Sequence, residues 1–205
     1  MYYGKDGYWK KVQEYLPEEN RLTEACLPDE YFVGIGRFGI HIDHYRVKEP
    51  KARIILFHGV GGNGRLLSFI AVPLMKQGYE VICPDLPLYG MTEYYGTVVY
   101  QDWVDCAAEI VMYYQTREIS PTFLFGLSAG GILAYQTASG LPGIQGVIAT
   151  CLLDQRNPAV RKSTAGSRWM ADHGLRAITK ASARLGFVKV PMKWVGNMKA
   201  IVNHE

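Results

Sequence analysis

The sequence predicts an α/β fold, a mostly parallel sheet with helices on both faces. Three observations carry that reading. Short apolar runs alternate with segments of helical periodicity. The runs near 53–57, 79–83, 122–126 and 146–152 are largely apolar, as expected for central parallel strands covered on both faces. His58, Asp85, Ser128 and Asp154 each fall just past one of these runs. Open α/β sheets bind their ligands at that carboxyl edge.

The elements follow in order. Tyr31 to Phe38 and Ile40 to Val47 read as two strands, the second with Ile40 and Ile42 alternating against polar residues. A hairpin through Gly39 at the sheet edge is expected. Arg53 to Phe57 is a buried strand. Leu66 to Lys76 reads as a helix closed by Gly78. Tyr79 to Cys83 is the next strand. From Tyr100 to Tyr114, Trp103, Ala107, Ile110, Val111 and Tyr114 recur at three- and four-residue spacing, an amphipathic helix. A strand over 122–126, a helix from Ala129 and a strand over 146–152 complete the series. Crossovers between parallel strands are expected to be right-handed.

Composition sets the outer limits. The 205 residues suffice for one sizeable core and approach the lower limit for a complete large α/β enzyme. With 48% apolar and 20% charged residues, the chain reads as a folded, soluble domain rather than a disordered one. No run approaches the length of a membrane span, and Met1 to Asp6 carries no apolar leader. These features set the expectation of a cytoplasmic protein. Cys26, Cys83, Cys106 and Cys151 are widely spaced in apolar surroundings, which predicts buried free thiols and neither disulfides nor a zinc site.

The net charge of +3 conceals an asymmetry. Residues 1–155 hold 12 Lys/Arg against 17 Asp/Glu, and residues 156–205 hold 10 against 2. The change predicts two units, 1–155 and 156–205. A basic segment suits a polyanion or an anionic surface; the simpler reading is a solvated helical face, with no nucleic-acid partner.

Gly126-Leu127-Ser128-Ala129-Gly130 lies between the strand over 122–126 and the helix from Ala129. Strand, sharp turn and helix are what a strained nucleophilic serine requires. A serine hydroxyl needs a base to take its proton, and its attack creates an oxyanion that needs donors already in place. The Ala129 N–H at the helix start supplies one. Val60 N–H, in the loop His58-Gly59-Val60-Gly61-Gly62, is the preferred second, with Gly61 behind it. His58 is expected to order this loop rather than act as base. Asp85 is expected to bond backbone N–H groups in its turn. No His/Asp/Glu cluster suggests a metal, and no dinucleotide or phosphate-loop pattern suggests a cofactor.

Three motifs in this order, His58 to Gly62, Asp85-Leu86-Pro87-Leu88-Tyr89-Gly90 and Gly126 to Gly131, make the chain resemble the α/β-hydrolase superfamily over about residues 30–155. Its lysophospholipase and monoacylglycerol lipase-like esterases are the members it resembles most. The resemblance implies Ser128 as nucleophile, with the backbones of Val60 and Ala129 as oxyanion hole. It implies hydrolysis of an apolar or lipid-like carboxylic ester through an acyl-enzyme, without a cofactor. The partners it implies are a small-molecule ester and peripheral lipid contact. The other reading is a binding or structural protein that keeps the fold without the reaction.

The family pattern then breaks. Its members follow the nucleophile with an acid and then a histidine on further strands, yet only 77 residues follow Ser128. Ala165 to Ile178 and Val195 to Val202 read as helices, with Pro158 and Pro191 as breakers. Residues 156–205 resemble a helical cap. The expectation is a fold incomplete at its C-terminus, completed by a missing fragment or by self-association. The rival is an internal triad with Asp154 as acid and His173 or His204 as base.

Overall fold

A computed structural model describes residues 2–152, 157–165 and 173–174. Packing divides the chain into two units, Met1–Leu152 and Leu153–Glu205.

The first unit opens with a segment that the sequence reading had left unassigned. It runs through a turn at Tyr3–Lys5, the helix α1 (Tyr8–Gln13) and turns at Glu18–Asn20 and Glu24–Cys26. Tyr3 and Trp9 are buried and meet edge to face at 5.4 Å. The Tyr3 and Gly4 N–H groups both donate to the Glu30 carboxylate at 2.7 Å, so this segment is tied to the sheet it precedes.

Seven strands form one sheet. They are β1 (Asp29–Ile35), β2 (Phe38–Tyr45), β3 (Arg53–Phe57), β4 (Glu80–Pro84), β5 (Glu93–Tyr94), β6 (Thr122–Leu127) and β7 (Ile144–Thr150). The order is β1-β2-β4-β3-β6-β7, with β5 paired to β2. β1 and β2 form an antiparallel hairpin, and β2 is antiparallel to β4. From β4 through β3, β6 and β7 every pairing is parallel. The hairpin turns at Gly36 and Arg37 rather than at Gly39: Gly36 has φ +53, while Gly39 is paired with Gly34 inside the ladder. Two-residue hairpin turns need positive φ, which decides the position. β7 also ends earlier than expected, because Cys151 at φ 53 leaves the extended region.

Four helices complete this unit: α1, then α2 (Ser68–Lys76), α3 (Tyr100–Arg117) and α4 (Ala129–Gly140). Side chains alternate across β3, which fills both faces of the sheet. Ile55 and Phe57 join Ile82, Leu124, Trp103, Ile110 and Leu133 in the core beneath α3 and α4. Leu56 joins Val81, Cys83, Leu67, Ala71 and Val72 in the core beneath α2. Cys26, Cys83 and Cys106 are buried free thiols as expected; Cys151 is exposed.

In the second unit a helix α5 spans Pro158–Thr164. Pro158 starts it instead of breaking it. A first-turn proline lacks only an N–H that would have no helical partner, and the Asn157 side chain accepts the Ala159 N–H at 2.9 Å. Most of the helix expected over 165–178 and all of that over 195–202 lie outside the described residues. No helix among the described residues is long and apolar enough to cross a membrane.

Candidate active site

β6 ends at Leu127 and α4 begins at Ala129, so the chain reverses at Ser128 alone. Ser128 adopts φ 57 and ψ −118, a region that costs a side-chain-bearing residue about 1–3 kcal/mol. The surroundings hold it there. Its N–H donates to the Thr150 carbonyl of the neighbouring strand at 2.9 Å, and its carbonyl accepts the Gly131 N–H at 2.9 Å. A Cβ on Gly126 would run into the Gly130 carbonyl, and one on Gly130 would run into the carbonyl of Phe57. Only glycine lets strand, helix and the neighbouring strand end come this close. Ser128 is half-buried, with its hydroxyl at the carboxyl edge of the sheet.

The glycine-rich loop after β3 lies against this turn. A Cβ built on Gly59 would sit 3.2 Å from Ser128 Cβ and 3.7 Å from its Oγ. His58 is fully buried, and both ring nitrogens are engaged with backbone. Nε2 lies 2.9 Å from the Leu86 N–H, which has only a proton to give, so Nε2 must accept. Nδ1 therefore carries the ring proton and donates to the Gly59 carbonyl at 2.7 Å. Burial holds the His58 pKa below its ordinary value, which keeps the ring in this neutral tautomer. The Gly59 carbonyl also accepts the Gly62 N–H at 3.1 Å. That carbonyl and the Val60 N–H belong to one planar peptide and point in opposite directions. By pinning the carbonyl, His58 sets the direction of the Val60 N–H. Ala129 N–H, at the start of α4, has no helical acceptor.

Asp85 follows β4 and acts as a buried junction. Oδ1 accepts the Gly64 N–H at 2.6 Å, from the end of the glycine-rich loop. Oδ2 accepts the Tyr3 hydroxyl at 2.8 Å and the Met91 N–H at 2.7 Å. The backbone-binding role expected of Asp85 is what the structure shows, extended to a side chain far away in sequence.

The other histidines of this unit are committed elsewhere. His44 lies between the Tyr31 hydroxyl and Glu80, at 2.7 Å from each. His41 pairs with Glu30 and Asp85, each at 3.2 Å. Glu30, His41 and Asp43 hold ligand-type atoms within 4.8 Å of one another, the spacing a metal ion would use. The Arg65 guanidinium occupies that role, at 2.6 and 2.8 Å from the Asp43 carboxylate and 3.0 Å from Glu30. A cation there would have to displace a buried arginine.

A cavity of about 420 Å³ opens beside Ser128. Leu127, Ser128 and residues 58–62 line it together with Leu66, Leu67, Ser68 and Phe69. Val12 and Leu16 from the N-terminal segment also line it. These two escaped the sequence reading, although Trp9, Val12 and Leu16 recur at helical spacing and carried the signal. Val60 and Ser128 line this one cavity, and Ala129 follows Ser128 at the start of α4. Asp154 and His204 lie outside the described residues; His173 is exposed in the second unit.

A serine on a strained strand-to-helix turn, at the carboxyl edge of a parallel sheet and beside a glycine-rich loop, defines an α/β-hydrolase fold. The family model described as serine aminopeptidase, S33, matches residues 48–198, and the chain belongs to that family. Solved structures agree on the fold. The thioesterase domain from the curacin biosynthetic pathway is 27% identical, with a TM-score of 0.52 over 60% of this chain and 43% of its own. Monoglyceride lipase from Saccharomyces cerevisiae is 17% identical, with a TM-score of 0.62 over 83% of this chain and 56% of its own. An esterase from Pyrococcus furiosus is 17% identical, with a TM-score of 0.56 over 78% and 62%. The chain thus spans between about two-fifths and two-thirds of these three structures. No curated protein matches the sequence.

Proposed function

We propose that the protein is a serine hydrolase that cleaves carboxylic esters of an apolar, lipid-like substrate through an acyl-enzyme on Ser128. The observation that carries this reading is the Ser128 backbone, held at φ 57 and ψ −118 beside an apolar cavity. Strain of this kind persists only where the surroundings enforce it. Ser128 Oγ attacks the ester carbonyl carbon, and the carbonyl oxygen becomes an oxyanion. The Val60 and Ala129 N–H groups are assigned to receive that charge. The alcohol leaves with a proton, and water then releases the acid from Ser128.

His41, His44 and His58 are unsuited to take the serine proton, since their ring nitrogens face carboxylates, a tyrosine or backbone. Asp154 and then His173 or His204 follow Ser128 in the order acid then histidine, and they are the candidates this chain itself supplies. The segment 156–205 is read as cap-like, and its Met170, Leu175, Phe187, Met192, Trp194 and Met198 suit either contact with an apolar substrate or packing of its own helices.

The family's description names an aminopeptidase. Ester cleavage is favoured because no Asp, Glu, Lys or Arg occurs among the residues described as lining the cavity. A peptide's terminal ammonium would find no partner there. The neighbours described as monoglyceride lipase and esterase point the same way.

Treatment with a fluorophosphonate followed by peptide mass spectrometry tests the reading. The expected result is phosphonylation at Ser128, lost in Ser128→Ala, with p-nitrophenyl octanoate cleaved faster than an aminoacyl p-nitroanilide. Absence of label at Ser128 would favour a binding protein on the same fold. Preference for the anilide would return the substrate class to peptides.

A further inference from the structure

The wall of the cavity beside Ser128 is built partly from outside the sheet and its helices. Val12 and Leu16 belong to the N-terminal segment, yet they line the same space as Leu66, Phe69, Leu127 and Ser128. The segment that carries them is anchored at several points. Arg21 Nε donates to the Leu16 carbonyl at 2.9 Å, and the Leu22 N–H donates to Gln13 Oε1 at 2.7 Å. Lys76 Nζ of α2 donates to the Glu19 carbonyl at 2.5 Å. Tyr3 reaches Asp85, whose other oxygen holds Gly64. The wall is therefore coupled to the loop that carries the Val60 N–H.

We propose that this cavity is the acyl subsite and that Val12 and Leu16 set the length of unfunctionalised alkyl chain it accepts. The inference rests on the Ser128 acyl-enzyme reading. An acyl group attached to Ser128 Oγ begins at the cavity and finds aliphatic and aromatic side chains in its wall. The volume of about 420 Å³ lies at the lower end of small-ligand sites, which suits one chain of limited length. Each further methylene buried strengthens binding roughly fourfold, until the wall is reached. A second cavity, of about 490 Å³, lies at the other end of the sheet, where β3 and β4 begin. Its buried Arg53 and His44 both bond Glu80, so the polar groups at its floor satisfy one another.

Calorimetric titration with saturated fatty acids from hexanoate to dodecanoate tests this in Ser128→Ala protein, where no turnover interferes. Affinity is expected to rise with each methylene and then level off. Adding Leu16→Trp should shorten the levelling point by two or more methylenes. Adding Leu16→Ala should lengthen it. Misfolding alone would not shift the limit in opposite directions. Should Leu16→Trp fail to fold, Val12→Trp is expected to shorten the limit in the same way. An unchanged limit in every folded variant, or no binding at any length, overturns the proposal. If wild-type Ser128 still takes the phosphonate in that case, the hydrolase reading stands without this subsite. Chain-length-dependent binding with no label at Ser128 defeats the hydrolase reading, and the cavity's role as an acyl subsite falls with it.

Discussion

The Tyr3 hydroxyl donates to Oδ2 of Asp85 at 2.8 Å, a buried bond between residues 82 apart in sequence. The same carboxylate holds Gly64 through Oδ1 and Met91 through Oδ2. One side chain thus joins the N-terminal segment, the end of the glycine-rich loop and the turn after β4. Burial and the Asp85 carboxylate both raise the Tyr3 pKa, so the phenol stays protonated and can donate.

Tyr3→Phe removes one donor and leaves Asp85 paired with Gly64, Met91 and His41. Hydrogen bonds to charged groups contribute about 1.5–3 kcal/mol, so a loss of about that size is expected in urea unfolding. Ser128 labelling should persist. Asp85→Ala instead leaves the Gly64 and Met91 N–H groups without their acceptor. It is expected to cost more than Tyr3→Phe and to slow labelling at Ser128.

His58→Ala tests the loop. It strips the partner from the buried Leu86 N–H, at a cost on the order of 1–3 kcal/mol, and leaves the Gly59 carbonyl held by the Gly62 N–H alone. With the 59–60 peptide held by one bond instead of two, kcat is expected to fall, by up to about 10²–10³, the cost of losing one oxyanion donor. KM should change little. A variant that loses stability but keeps kcat would separate His58 from the oxyanion loop.

Gly126→Ala places a methyl against the backbone of Gly130 and Gly131 in the first turn of α4, where no side chain can swing away. Overpacking against backbone is expected to cost about 3 kcal/mol or more and to abolish labelling at Ser128. Gly34→Ala is the control. Nothing lies within 4 Å of a Cβ at that strand position, so a change within about 1 kcal/mol is expected.

Stability should fall at alkaline pH through His41. Burial opposes charge on this ring, yet the Asp85 and Glu30 carboxylates beside it prevail and push its pKa up to about 9. A group with a folded pKa above its unfolded value of about 6.5 stabilises the charged, folded form below that value. The contribution is lost as the pH rises through about 9. A decline on the order of 3 kcal/mol between pH 6.5 and 9.5 is expected in urea unfolding. His41→Gln should flatten it.

The sequence by itself determined the α/β class, the motifs that resemble an α/β-hydrolase and the turn at Ser128. All three are local. The apolar runs over 53–57 and 79–83 could only be covered strands, and glycines flanking Ser128 could only serve a tight strand-to-helix reversal. The structural role of His58 was legible as well, from its place at the head of a glycine-rich loop. Tertiary structure alone decided the His58 tautomer, because the Leu86 N–H that fixes it arrives from another strand end. It alone decided the strand order, which places β2 beside β4 and β3 beside β6. It alone put Val12 and Leu16 beside Ser128, since Tyr3 finds Asp85 only after β4 is in place. Periodicity records which face of an element is apolar; what covers that face depends on contacts between residues far apart in the chain.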